Sequence, residues 1–156
     1  MRLVVQRVKR AVVSVDNAIV GEISGGLMLL LGVAAGDSKS DAEVLAKKVL
    51  GLRIFTDEND KMNLSVKDIG GEALVVSNFT LLANYKKGNR PDYMQAAKPD
   101  EAKELYEYFV SLLSAELSHV GVGMFGAHME IDMCADGPVT IVMDSEVLLA
   151  GKKTDQ

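Results

Sequence analysis

The sequence predicts an α+β fold: a largely antiparallel, barrel-like β-sheet core with two main helices packed over it, in a single domain. Three observations predict it. The first third alternates β-branched and polar residues between tight turns. Two later stretches repeat apolar residues at helical spacing, and strand-like alternation flanks the second of them.

Taken in order, Leu3, Val5 and Val8 with Ala11, Val13 and Val15 alternate until the pattern breaks near Arg10, which predicts a bend or bulge rather than a flat strand. Asp16-Asn17 is turn chemistry, Ala18 to Ile23 resumes the extended pattern, and Gly25-Gly26 supplies a second turn. Leu27 to Val33 is a continuous apolar run bounded by glycines, which reads as a central strand buried on both faces of an antiparallel meander. Ser40 with Glu43 makes a capping box for a first helix whose core face is Leu45, Val49 and Leu52. Ala73 to Phe79 reads as a strand. Pro99, Asp100 and Glu101 open a second helix with the stripe Leu105, Phe109, Leu112 and Leu113, ending before Val120. Met129, Ile131 and Met133, then Val139, Ile141 and Met143, alternate as two last strands. There is no internal repeat or linker, so residues 1-151 form one domain and 152-156 a loose tail.

Composition narrows the function. A chain of 156 residues, 48% hydrophobic and 25% charged, is long enough to bury roughly 70% of its unfolded surface, which argues against disorder. Its longest apolar run, Leu27 to Ala35, is nine residues with Gly32 inside it, too short to span a bilayer, and the polar start does not read as a signal peptide. A cytoplasmic protein with no membrane partner is expected. Cys134 is the only cysteine and reads as a small buried hydrophobe; with only His119 and His128 beside it, no zinc site is indicated. His128 reads as a structural residue, and His119 as one favoured by the helix C-terminus before it. The net charge of −5 disfavours long polyanion binding, yet Lys86, Lys87 and Arg90 form a basic loop, and Arg2, Arg7, Lys9 and Arg10 cluster near the start.

Three segments are candidates for chemistry. Ser77-Asn78-Phe79-Thr80-Leu81 ends an apolar strand with small polar side chains, as a ligand site at a sheet end requires, though the same residues serve as ordinary turn caps. No neighbouring His or Lys is placed to activate Thr80 as a nucleophile. Asp136-Gly137-Pro138-Val139-Thr140 leaves unshielded carbonyls around its Gly-Pro pair or is simply a turn between strands, and only roughly 5–6% of X-Pro bonds are cis. The third is the loop Lys86-Lys87-Gly88-Asn89-Arg90-Pro91.

Together with Gln6-Arg7-Val8, Gly32-Val33, Gly36-Asp37, Leu52 to Phe55, Lys61 to Val66, Phe125-Gly126-Ala127 and Gly137 to Thr140, these segments resemble the D-aminoacyl-tRNA deacylase family of bacterial and eukaryotic type, nearly end to end. The resemblance implies hydrolysis of the ester joining a D-amino acid, and by extension glycine, to the terminal ribose of tRNA. It implies a homodimer with active sites at the subunit interface, and neither cofactor nor metal. Ser77, Phe79 and Thr80 are then the catalytic segment, with main-chain amides of Phe79 and Thr80 as oxyanion donors, such donors being worth ~3–4 kcal/mol each. Asn78, Leu81, Phe125 and Met129 line the substrate pocket, while Gly137 and Pro138 match a Gly-cisPro pair that enters the neighbouring subunit's pocket and screens the chiral centre. Lys86, Lys87, Arg90 and Arg7 are the implied tRNA contacts. The resemblance also implies that the substrate's own 2′-hydroxyl assists the chemistry. Two residues depart from the family: Asn78 stands for the usual Gln, and Ala135 for the Asn before Asp-Gly-Pro-Val-Thr. Two other readings are a catalytically weakened RNA- or nucleotide-binding dimer of the same fold, and a small-molecule esterase using Thr80.

Overall fold

The computed structural model describes residues 1–150, so the tail expected at 152–156 lies outside the described residues. Strands β1 (Arg2–Val15), β2 (Ala18–Ile23) and β3 (Gly26–Gly32) precede helix α1 (Lys39–Gly51). A small hairpin, β4 (Phe55–Thr56) and β5 (Met62–Leu64), leads to β6 (Glu72–Ser77). Then come α2 (Pro99–Ser114), β7 (Val120–Val122), β8 (Glu130–Asp144) and a short α3 (Ser145–Ala150). No helix among these residues is long and apolar enough to cross a membrane.

The first three strands are not a meander. β1 lies between its partners: residues 2–8 pair antiparallel with β3, residues 11–15 with β2, and β8 runs along the other edge of β1. Asp16 and Asn17, both at positive φ (49° and 64°), make the tight turn from β1 to β2. β6 pairs parallel with β3, and β7 parallel with β6. β7 then comes back against β2. A Cβ on Gly21 would sit 2.2 Å from the Val122 carbonyl oxygen, so only glycine lets these backbones approach and nearly close the barrel.

This wrapping explains the unbroken apolar run of β3. Leu27, Leu29 and Leu31 face a core covered by Leu45 and Val49 of α1 and Leu105, Phe109 and Leu113 of α2. Met28 faces inward with Val8, Ala11, Val13, Leu74 and Val76. β1 serves both cores because its pairing with β8 shifts register between Gln6 and Val8 and again between Val8 and Arg10, close to where its alternation breaks.

Several boundaries differ from the sequence-based expectation. α1 begins two residues early, capped by Ser38 rather than Ser40. The Asp41 carboxylate accepts the Ser38 N–H (2.9 Å) and hydroxyl (3.0 Å), while Glu43 instead accepts the Tyr108 hydroxyl at 2.7 Å. The strand ending β6 stops at Ser77, and Phe79–Leu82 curl into a 3₁₀ turn. The two last strands are one: the Gly-Pro segment is a bulge inside β8, not a turn. Gln6 pairs with Thr140 and Val8 with Ala135, so Arg7 alone faces the four residues Asp136 to Val139. β7 and α3 have no counterpart in the expected order.

Ser145, fully buried, ties the chain start to this layer. Its oxygen accepts from the Met1 α-amine at 2.7 Å and its hydroxyl donates to Asp41 at 2.7 Å. Burial raises the Asp41 pKa, and hydrogen bonds from Ser145 and Ser38 outweigh it, holding the carboxyl below its ordinary value. Ser145→Ala is expected to cost about 2 kcal/mol in urea unfolding at neutral pH, because two charged partners lose a hydrogen bond. A carboxyl with a depressed folded pKa stabilises above its unfolded pKa and loses that contribution as pH falls through the folded one. The deficit of the variant therefore shrinks in acid.

Candidate active site

Where β6 ends, Asn78 remains extended (φ −144°) and its N–H donates to the Leu31 carbonyl at 2.8 Å. The chain then folds across β3 at Gly32. A Cβ there would meet Leu82 Cδ2 at 2.5 Å and the Asn78 carbonyl oxygen at 3.0 Å, so glycine lets the 3₁₀ turn rest on the sheet. Arg2 holds its far end, with Nη1 donating to the Leu81 carbonyl at 3.0 Å and Nε paired with Asp144 at 3.2 Å. As the first two residues of the turn, Phe79 and Thr80 have no intrahelical acceptor for their N–H groups.

This turn forms one wall of a cleft of about 740 Å³. Ser77, Asn78, Phe79, Thr80, Phe125 and Met129 all line it, so the structure brings the Ser77–Thr80 segment together with two residues distant in sequence. Its floor is Leu30, Val33 and Val76. Sequence reasoning missed Tyr93, which meets Phe79 edge-on with centroids 5.1 Å apart, and Ile131, whose position on β8 gave no sign of it. It also misread His128, which is exposed on the cleft wall rather than a satisfied structural residue. Beneath Phe125 lies Tyr106, whose hydroxyl donates to the Val75 carbonyl at 2.8 Å; burial pushes its pKa up to about 12, so it is a fixed donor and not a base.

The remaining expected residues lie elsewhere. Leu81 is half-buried and does not line the cleft; its carbonyl belongs to Arg2. Lys86, Lys87 and Arg90 are exposed on a loop whose base is the Asn84–Asp92 bridge. Gly137 and Pro138, joined by a cis peptide bond, stand exposed on the β8 bulge and do not line the cleft of their own chain. Arg7 is drawn to that bulge. Its Nε donates to the Asp136 carbonyl at 3.1 Å and pairs with the Asp136 carboxylate at 3.3 Å, and Nη1 donates to the Ile54 carbonyl at 2.8 Å. Ala135 keeps its pairing with Val8, and Arg7 braces the bulge beside it. His119 bonds the Glu22 carbonyl at 2.9 Å rather than a helix end. Cys134 is exposed, not buried, and shares β8 with the exposed Ile131, Met133 and Val142.

Thr80 donates its hydroxyl to the side-chain oxygen of Asn78. An amide cannot take that proton, so this contact does not activate Thr80 as a nucleophile. The arrangement instead offers main-chain N–H groups, one hydroxyl and an apolar floor, suited to holding an ester and stabilising charge on its oxygen.

Comparison with known proteins bears on this geometry. A family model described as D-Tyr-tRNA(Tyr) deacylase matches residues 4–144. Proteins named D-aminoacyl-tRNA deacylase from Caldicellulosiruptor saccharolyticus and Koribacter versatilis are 55% and 54% identical over 146 residues, covering 94% of this chain and 98% of each relative. The one from Pseudoalteromonas translucida is 55% identical over 140 residues, 90% of this chain and 97% of its own length. A solved structure described as c-Myc DNA Unwinding Element Binding Protein superposes with a TM-score of 0.88 at 38% identity, covering 92% of this chain and 98% of that one. Another, of a probable eukaryotic D-amino acid tRNA deacylase, shares the fold at a TM-score of 0.79 and 18% identity, with the same coverage. Matched along most of its length and more than half identical to these curated relatives, the chain belongs to the D-Tyr-tRNA(Tyr) deacylase family.

Proposed function

We propose that this protein hydrolyses the ester of D-aminoacyl-tRNA in the cytoplasm, as a homodimer in which the Gly137-Pro138 bulge of each copy closes the cleft of the other. The observation that carries this reading is a mismatch: the cleft holds the Ser77–Thr80 segment, while the chain's own Gly137 and Pro138 stand exposed outside it. A second copy supplies what is missing. Among the described residues β8 pairs with β1 alone, and its exposed Ile131, Met133 and Val142 make an apolar surface that reaches the cleft through Ile131.

In this arrangement the N–H groups of Phe79 and Thr80 stabilise the tetrahedral oxyanion while water attacks the ester carbonyl. The carbonyls at Gly137-Pro138 form a rigid main-chain wall where an L-amino acid would project its side chain. It rejects the L-isomer by clash and has nothing to act on in glycine, so glycyl-tRNA is also a substrate. Arg7, engaged with Asp136, positions the wall instead of meeting phosphate directly.

Mixing two variants of strongly lowered turnover tests the shared site. If Phe79→Asp blocks one cleft and Gly137→Ala one wall, a mixed dimer has one intact cleft facing one intact wall. Random exchange of subunits restores roughly a quarter of wild-type turnover, because half the dimers are mixed and each carries one working site. No recovery, despite subunit exchange, contradicts the arrangement. Lys86, Lys87 and Arg90 then face the acceptor stem. Lys86→Glu with Lys87→Glu weakens tRNA binding and flattens its salt dependence by about one to two phosphate contacts, measured by titrations from low to moderate salt.

A further inference from the structure

We propose that Asn78 is a positioning residue that holds the Thr80 hydroxyl with its proton turned away from the substrate, so that Thr80 meets the substrate only as a hydrogen-bond acceptor. The inference rests on the hydrolase reading of the cleft and deepens it. Thr80 has one O–H to donate, and it is hydrogen-bonded to the Asn78 side-chain oxygen. Only the lone pairs of Thr80 then remain for the cleft.

Asn78 is suited to this by its own immobility. Its N–H is bonded to the Leu31 carbonyl at 2.8 Å, its carbonyl accepts the Leu81 N–H at 3.4 Å, and Gly32 packs against that carbonyl. With the backbone so fixed, a side chain of one methylene reaches a hydroxyl two residues on. Both residues line the cleft, so an acceptor fixed there favours a substrate presenting a donor, such as its ammonium group or the attacking water.

The test is a double-mutant cycle read with D-tyrosyl-tRNA. Asn78→Ala is expected to lower kcat about tenfold with KM changed less than twofold, the loss of one oriented hydrogen bond. In a Thr80→Val background the same substitution has no further effect. Asn78→Asp, which can only accept, recovers most of the kcat lost in Asn78→Ala. Additive losses from Asn78→Ala and Thr80→Val overturn the proposal. So does an Asn78→Asp variant as slow as Asn78→Ala, which means that an amide N–H faces Thr80 and the hydroxyl is a donor. A wild-type protein inactive on D-tyrosyl-tRNA fails the hydrolase reading itself, a result distinct from either.

Discussion

Gly137→Ala is expected to lower kcat/KM for a D-aminoacyl-tRNA by more than tenfold and to erase most of the preference for D over L. Gly137 has φ +138°, a region that L side chains rarely adopt, and a Cβ there would lie 2.6 Å from the Val139 nitrogen and 2.9 Å from Val139 Cγ2. The contact with backbone cannot be relieved by a rotamer change. Asp136 is held by Arg7 through its carbonyl and its carboxylate, so the strain is released on the other side, through Pro138 and Val139. That moves the carbonyls of the wall. A misplacement of about 1 Å can cost on the order of a hundredfold where geometry is the selecting device. Strain at this φ also lowers the melting temperature, so the assays are run well below the transition. Parallel kcat/KM measurements on D- and L-tyrosyl-tRNA check this, and an unchanged ratio contradicts the wall.

The second large effect lies on the substrate. tRNA ending in 2′-deoxyadenosine is expected to be hydrolysed at least roughly a hundredfold more slowly than the ribo form, the scale of a lost general acid or base. The Thr80 hydroxyl is paired with an amide, and Tyr106 is a neutral donor turned to Val75, so neither takes a proton from water. On the proposed reading the adjacent 2′-hydroxyl fills that role. Thr80→Ala, by contrast, lowers turnover without abolishing it. His128 is the one imidazole among the cleft-lining residues; a hundredfold loss in His128→Ala with full activity on the deoxy substrate would transfer the role to the protein.

Where local chemistry decides structure, the sequence was legible: the turn at Asp16-Asn17, the doubly buried run of β3, the start of α2 at Pro99, and the polar residues ending β6. Distant partners decided the rest. Ser38 caps α1 because its partner Asp41 is anchored by Ser145, 104 residues away. Gly137-Pro138 reads from its residues as a turn between two strands, and only pairing with β1 on both sides makes it a bulge. β7 is three residues around Gly121, with no alternation to find. Cys134 and Met133 look like core because apolar residues meant for another surface carry the same signature as those meant for an interior. Arg7 shows the converse: its charge suggested phosphate, whereas its guanidinium serves Asp136 and Ile54.

The most direct test is release of the amino acid from D-tyrosyl-, L-tyrosyl- and glycyl-tRNA by the purified protein without added metal. Turnover of the D-tyrosyl and glycyl substrates with L-tyrosyl-tRNA left intact is the predicted result. Equal release of D- and L-tyrosine, tRNA bound without hydrolysis, or a covalent acyl adduct on Thr80 would contradict it.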